Sequence, residues 1–381
     1  MEFYQKDPVS TLLPPLSEIS ADDSVARARL IPAIEVLMKL QKDLDARPNA
    51  LESDSVYSKI SAIFLYSVMD YAPSREARDK AAQLIMDCIH PLDPLETNRS
   101  LVALATHICD AMIRPLRLRQ PMAPAPSGLP SRISSSIQSR DDILKYFTPG
   151  TRSNVKAKAL GRDNYRCLLT DLVDDESFVT GKTSSKPGEI SEPTEAAHII
   201  PFHLVNFKPN SPPAPEVDIS ASDLDQDPKP ANAKLERAEA FWKIISWFGN
   251  IDRKGLDGQN INRLGNITTL SQMTRSFFDQ LKLCFDEIPG FENCFKVQKY
   301  GPTLFDPSIK SEVEFTTPNA EIMPLPNPAY LRLHAACTKI AYMSGAGEII
   351  HKLEREIEDM DVLASDGSSV NYLQYRLQGI V

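Results

Sequence analysis

The chain has no CxxC pair. Its six cysteines, Cys88, Cys109, Cys167, Cys284, Cys294 and Cys337, are scattered along it. That spacing excludes a thiolate zinc knuckle and a compact disulfide scaffold, and leaves the thiols as reduced, partly buried residues. No apolar run approaches the roughly 18 residues that a membrane span requires, so no membrane partner is expected. The opening MEFYQKDPVSTLLPPLSEIS lacks the basic region and apolar core of a secretory leader, which points to an intracellular protein, nuclear or cytoplasmic. No internal repeat is evident. Tryptophan is scarce, and Trp242 and Trp247 both fall in one segment, AKLERAEAFWKIISWFGN.

What is present is an ordinary globular composition over 381 residues, 42% hydrophobic and 24% charged, enough for two or three domains. The formal net charge of −9 is unevenly spread. Between Arg114 and Arg166 stand Arg114, Arg117, Arg119, Arg132, Arg140, Lys145, Arg152, Lys156, Lys158, Arg162 and Arg166 against Asp141, Asp142 and Asp163, so this segment is +8 and the remainder −17. Two readings follow: a solvated linker with a surface helix, or a patch facing DNA or RNA phosphates.

Periodicity divides the chain into four parts. Apolar residues at spacings of three and four, as at Ile31, Ile34, Leu37 and Leu40, predict a helical domain over 1–120. Pro121 to Arg140 is a Pro/Ser-rich linker. Residues 141–353 hold two short strand-like runs, RCLLTD and EAAHIIPF, read as a hairpin with a long mobile loop between them. They also hold a polar insertion from Lys208 to Lys234 and an apolar helical face at Phe241, Trp242, Ile245 and Phe248. Two helices broken at Gly345 and Gly347 lead into a helical tail, 354–381. The fold class is α+β, predominantly helical.

Chemistry concentrates in EAAHIIP, Glu195 to Pro201, and INRLGNITTLSQMTRSFFD, Ile261 to Asp279. A histidine at a strand end facing a helix can serve phosphodiester cleavage, which needs a base of near-neutral pKa and a cation to stabilise charge on the phosphorane. With RDNYRCLLTD, AAHIIPF, the Asn266 and Leu270 that follow IN, the phenylalanines of FFD and KLCF, and HAACTKIAYMSGAGE, this ordered set resembles the fungal branch of the HNH endonuclease family, over about Asp141 to Leu353. The resemblance implies an HNH-type ββα-metal domain, to which the helical N-terminal domain read from periodicity is joined. It implies His198 as general base and Asn266 as the residue that orders the loop and orients the histidine. It also implies a divalent cofactor (magnesium, manganese or zinc) if the site is active, and none otherwise.

The helical histidine that would bind the metal, nine residues after Asn266, is Arg275 here. A guanidinium stays protonated and has no acceptor, so it cannot ligate a cation. A second ligand position, just before the catalytic histidine, is Ala197. Glu195, His203 and Asp279 are the candidates for a rearranged ligand set. Arg275 is alternatively a fork for a phosphate or another anion, or a surface residue. Cys167 is read as a small core residue or a nucleophile. Three functions remain open: a metal-dependent DNA endonuclease, an HNH-like hydrolase; a non-cutting module that binds DNA or RNA through 114–166; and an accessory protein that reuses the scaffold.

Overall fold

The computed structural model describes residues 24–46, 55–117, 152–201, 230–256, 258–301 and 305–358. The linker at 121–140, most of the polar insertion, His203 and the tail beyond 358 lie outside them.

The described residues open with α1 (Ser24–Ala46), α2 (Ser61–Asp70), α3 (Arg75–Asp87) and α4 (Pro94–Ile108), the last passing through a π-helical turn at Cys109–Ile113 into α5 (Arg114–Arg117). Local chemistry sets the starts. Ser74 Oγ accepts the Ala77 N–H at 3.1 Å, and Asp93 Oδ1 accepts those of Leu95 and Glu96 at 3.0 Å, with Pro94 in the first turn. Each cap satisfies amides that the helix itself leaves without acceptors.

After α6 (Arg152–Arg162) come β1 (Val173–Asp174), α7 (Asp175–Val179), β2 (Ser191–Glu192), β3 (Thr194–His198), α8 (Pro230–Gly249), β4 (Ile267–Ser271) and α9 (Gln272–Asp279). Then follow β5 (Leu283–Glu287), β6 (Cys294–Lys299), β7 (Glu312–Glu314), α10 (Pro328–Met343) and α11 (Ala346–Glu358). Gly345 separates the last two helices, at φ 77°, a left-handed conformation that suits glycine. The β-structure is small: a parallel β1–β2 pair, an antiparallel β3–β4 pair and an antiparallel β5–β6–β7 sheet. The protein is α+β and mostly helical. Among the described residues no helix is long and apolar enough to cross a membrane.

Packing crosses the expected domain boundary. Leu37, Phe64, Ile85 and Leu101 of the first helices belong to the same buried cluster as Phe241 and Phe248 of α8 and Leu333 and Ile340 of α10. The N-terminal helices therefore share one core with α8 and α10, each of which carries an apolar face that those helices cover. A second cluster lies under the strands, where Cys167, Ala197, Leu270, Phe278, Phe285, Phe295 and Phe315 meet.

RCLLTD is not the strand partner of AAHII. Arg166 makes one isolated bridge to Val173, and the chain then doubles back, with the Asp171 N–H donating to Cys167 O at 2.9 Å and the Cys167 N–H to Leu172 O at 3.0 Å. Asn164, Tyr165 and Asp171 take positive φ of 55°, 59° and 62°, conformations incompatible with a continuous strand. The strand partner of β3 is β4, some seventy residues on, in a register that sets Glu195 opposite Leu270 and His198 opposite Ile267. The stretch between RCLLTD and EAAHIIPF is not a bare loop: it forms α7 and strands β1 and β2.

Candidate active site

The site is a strand pair followed at once by a helix. Ser271 ends β4 and caps α9, its Oγ accepting the Thr274 N–H at 3.3 Å. All five residues of β4 are buried, so the strand has no solvent face and the helix must leave it sharply. Asp174 fixes the start of β3. Burial alone would raise its carboxyl, but hydrogen bonds from the Oγ and N–H of Ser177 and from the Oγ1 and N–H of Thr194 outweigh that cost and hold it below the usual carboxylate range.

Strand alternation then sorts the candidates onto two faces. Ala196 and His198 share one face, and Ala196 packs there against Val155 and Ala159 of α6 and Ile267. Glu195 and Ala197 share the other, where Ala197 joins Leu270 and Phe278 of the second cluster.

On the first face, partly buried His198 places Nε2 3.0 Å from Asn262 Oδ1. With that oxygen as acceptor Nε2 carries the proton, and any base function falls to Nδ1. Asn266 is fully buried. Its Oδ1 accepts the Ile200 N–H at 2.8 Å, its Nδ2 donates to Ile200 O and Ile261 O at 3.0 Å, and its backbone carbonyl accepts the Ile199 N–H at 2.9 Å. Asn266 therefore ties the chain leaving His198 to the turn that carries Asn262. Asn262 belongs to the IN element of the HNH resemblance, which assigns it no role. It stands four positions before Asn266 in INRLGN.

On the second face Arg275 is held between two carboxylates. Its Nη1 pairs with Glu195, and its Nε donates to Asp279 Oδ2 at 3.2 Å. Both are positions that sequence offered as replacement metal ligands. They do converge, but on the guanidinium. The described residues do not fit a divalent cation: of the two ligand positions that the HNH resemblance implies, one holds the methyl group of Ala197, buried in an apolar cluster, and the other holds Arg275 itself. Among the described residues no three His, Cys, Asp or Glu side chains gather as a metal would need. Nor is Arg275 a ready phosphate fork, since one cation is shared between two anions.

Cys167 is a core residue. Fully buried, its Sγ accepts the Ser271 N–H at 3.3 Å and lies 3.6 Å from Thr274 Oγ1, bracing the junction of β4 and α9. His334 of α10 braces α9 from beneath. It stacks on Phe278 at 3.7 Å and places Nε2 3.2 Å from Phe278 O. Complete burial pushes its pKa down to about 3, so the ring is neutral.

Among the described residues of the basic segment, several cations are engaged within the fold. Arg114, Arg117 and Arg162 are buried. Arg162 grips Asp163 with Nε at 2.7 Å and Nη2 at 2.9 Å, and donates to the carbonyls of Leu264, Ile267 and Pro324. Arg166 pairs with Glu189, whose carboxyl it holds at about 2, and Lys156 lies 3.4 Å from Glu176. Arg119, Arg132, Arg140 and Lys145 fall outside the described residues. A count of charge could not separate these roles.

Compared with known proteins, the chain matches no family model, no curated protein and no solved structure. The HNH resemblance therefore rests on this chain's own residues.

Proposed function

We propose that the chain is a non-cutting HNH-like module that acts as an accessory or recognition protein rather than by metal-dependent phosphodiester hydrolysis. The observation that carries this reading is Arg275 lodged between Glu195 and Asp279, where a nuclease of this type would need ligands. A guanidinium supplies fixed charge without an open coordination position, so it substitutes for a cation in holding the two carboxylates together and cannot polarise a phosphate oxygen while both engage it. Binding of DNA or RNA through 114–166 is a weaker expectation, because Arg114, Arg117, Arg162 and Arg166 have other partners.

A second reading, hydrolysis with His198 as base, is favoured by the His198–Asn262 contact, which fixes the ring as a working base would require. Calorimetric titration with manganese separates the two. The natural chain is expected to show no saturable site, while Arg275→His, which returns a ligand between the two carboxylates, gains one. Stoichiometric manganese binding by the natural chain, lost on Glu195→Gln or Asp279→Asn, would support the second reading.

A further inference from the structure

Behind the C-terminal end of α9 lies a concavity of about 530 Å³ that none of the residues of the β3–β4–α9 site lines. Its size is that of a small-molecule site. Three features give it chemistry. One wall is the face of α11 that presents Glu348, His351, Lys352 and Arg355, at the spacing that puts four side chains on one side of a helix, and all four are exposed. Lys282 adds a further cation from the turn after α9. The floor is aromatic: Tyr300 and Tyr342 lie 5.1 Å apart between ring centroids, inclined at 48°. Arg117 closes the back, its Nη1 donating to Gly347 O and its Nε 3.8 Å from Glu354. It thereby fixes the end of the N-terminal helices to the start of α11 and keeps the walls at a set distance.

We infer that this concavity binds a nucleoside diphosphate or triphosphate, its base against Tyr300 and Tyr342 and its phosphates against Lys282, Lys352 and Arg355. An aromatic floor receives the face of any base, because every base presents a π-surface. Cations along a helix face and an adjacent turn answer a chain of phosphates, and a guanidinium among them can engage two oxygens at once. Glu348, the one carboxylate of the lining, is an acceptor suited to ribose hydroxyls and opposes a ligand made of phosphate alone. Burial, foremost, and then the neighbouring Cys284, Asp286, Tyr71 and Tyr342 raise the Tyr300 hydroxyl above its ordinary value, so the floor carries no negative charge to repel the ligand.

The test is calorimetric titration of the full chain with ADP, GDP, CDP and UDP, and in parallel with inorganic pyrophosphate and with adenosine. At least one diphosphate is expected to saturate one site per chain, at least tenfold more tightly than pyrophosphate or adenosine. The double substitution Lys352→Ala with Arg355→Ala, at exposed positions, is expected to weaken it tenfold or more with an unchanged thermal midpoint. The natural chain should also lose affinity as salt rises, a measurement that needs no variant. Absence of binding by all four diphosphates would overturn the inference. So would pyrophosphate binding as tightly as the best nucleotide, or an affinity unmoved by both the double substitution and salt.

Discussion

The two faces of β3 are built from adjacent residues and have fared differently. On one, His198 meets Asn262, and Asn266 ties the chain after His198 to the turn that carries Asn262. On the other, Ala197 and Arg275 stand where ligands are expected, and Glu195 and Asp279 are drawn into ion pairs. Different physical duties account for the contrast. Asn266 answers three backbone groups that are buried with it, so the fold needs it whether or not a phosphodiester is ever cut. A metal ligand has no such second duty. Asn266 is therefore poor evidence for catalysis, and the Arg275 face is the informative one.

The contrast is broken most severely at Asn266. Asn266→Ala strands the Ile200 N–H and C=O and the Ile261 C=O in the interior, and is expected to cost about 3–5 kcal/mol in urea unfolding. A loss below about 1 kcal/mol would mean that water reaches these groups and that the lock is not structural.

Returning a ligand to the other face comes next. Ala197→Asp places a carboxylate in the apolar cluster of Leu270 and Phe278 and is expected to destabilise by about 2–4 kcal/mol. A neutral effect there, together with new manganese affinity, would show that the face is still open to a cation.

The support under α9 can be probed by pH. His334 has a folded pKa of about 3, below its unfolded value of about 6.5, so the unfolded state binds the extra proton. Its contribution to stability is complete above pH 6.5 and is lost as pH falls towards 3, amounting to about 2 kcal/mol by pH 5. Denaturant unfolding at pH 7 and pH 5 should show that difference in the natural chain and a smaller one in His334→Gln. An equal difference in both would place the acid sensitivity elsewhere.

The smallest effect is expected at Arg275 itself. Its ion pairs are partly solvated, and pairs of that kind contribute about 0–1 kcal/mol, so Arg275→Ala should shift the thermal midpoint by no more than a few degrees.

Much of this was legible in sequence, and the failures share a cause. The helices announced themselves through apolar periodicity, and Gly345 through its place between two of them. His198, Asn266, Arg275 and the carboxylates Glu195 and Asp279 were all singled out. What sequence does not carry is which residue faces which. RCLLTD has strand composition, yet positive φ at Asp171, and at Asn164 and Tyr165 just before it, turns the chain back on itself. The partner of β3 is found only after the long insertion, and that pairing decides that Glu195 meets Arg275 and not His198. The short β5–β6–β7 sheet, missed altogether, is held by contacts such as Phe285 on Phe315 at 5.4 Å, which packing supplies and local propensity does not. Charge counting failed at Arg162 for the same reason, since a buried arginine with five hydrogen bonds has the same letter as an exposed one.

The proposed function requires that the site of β3, β4 and α9 does not cut. It is tested most directly by incubating supercoiled plasmid with the full natural chain in magnesium, manganese and zinc in turn, beside His198→Ala. No conversion to nicked circles by either protein is expected above a protein-free control. Metal-dependent nicking by the natural chain that disappears in His198→Ala would contradict the proposed function, and would show that a cation reaches the phosphate despite Arg275.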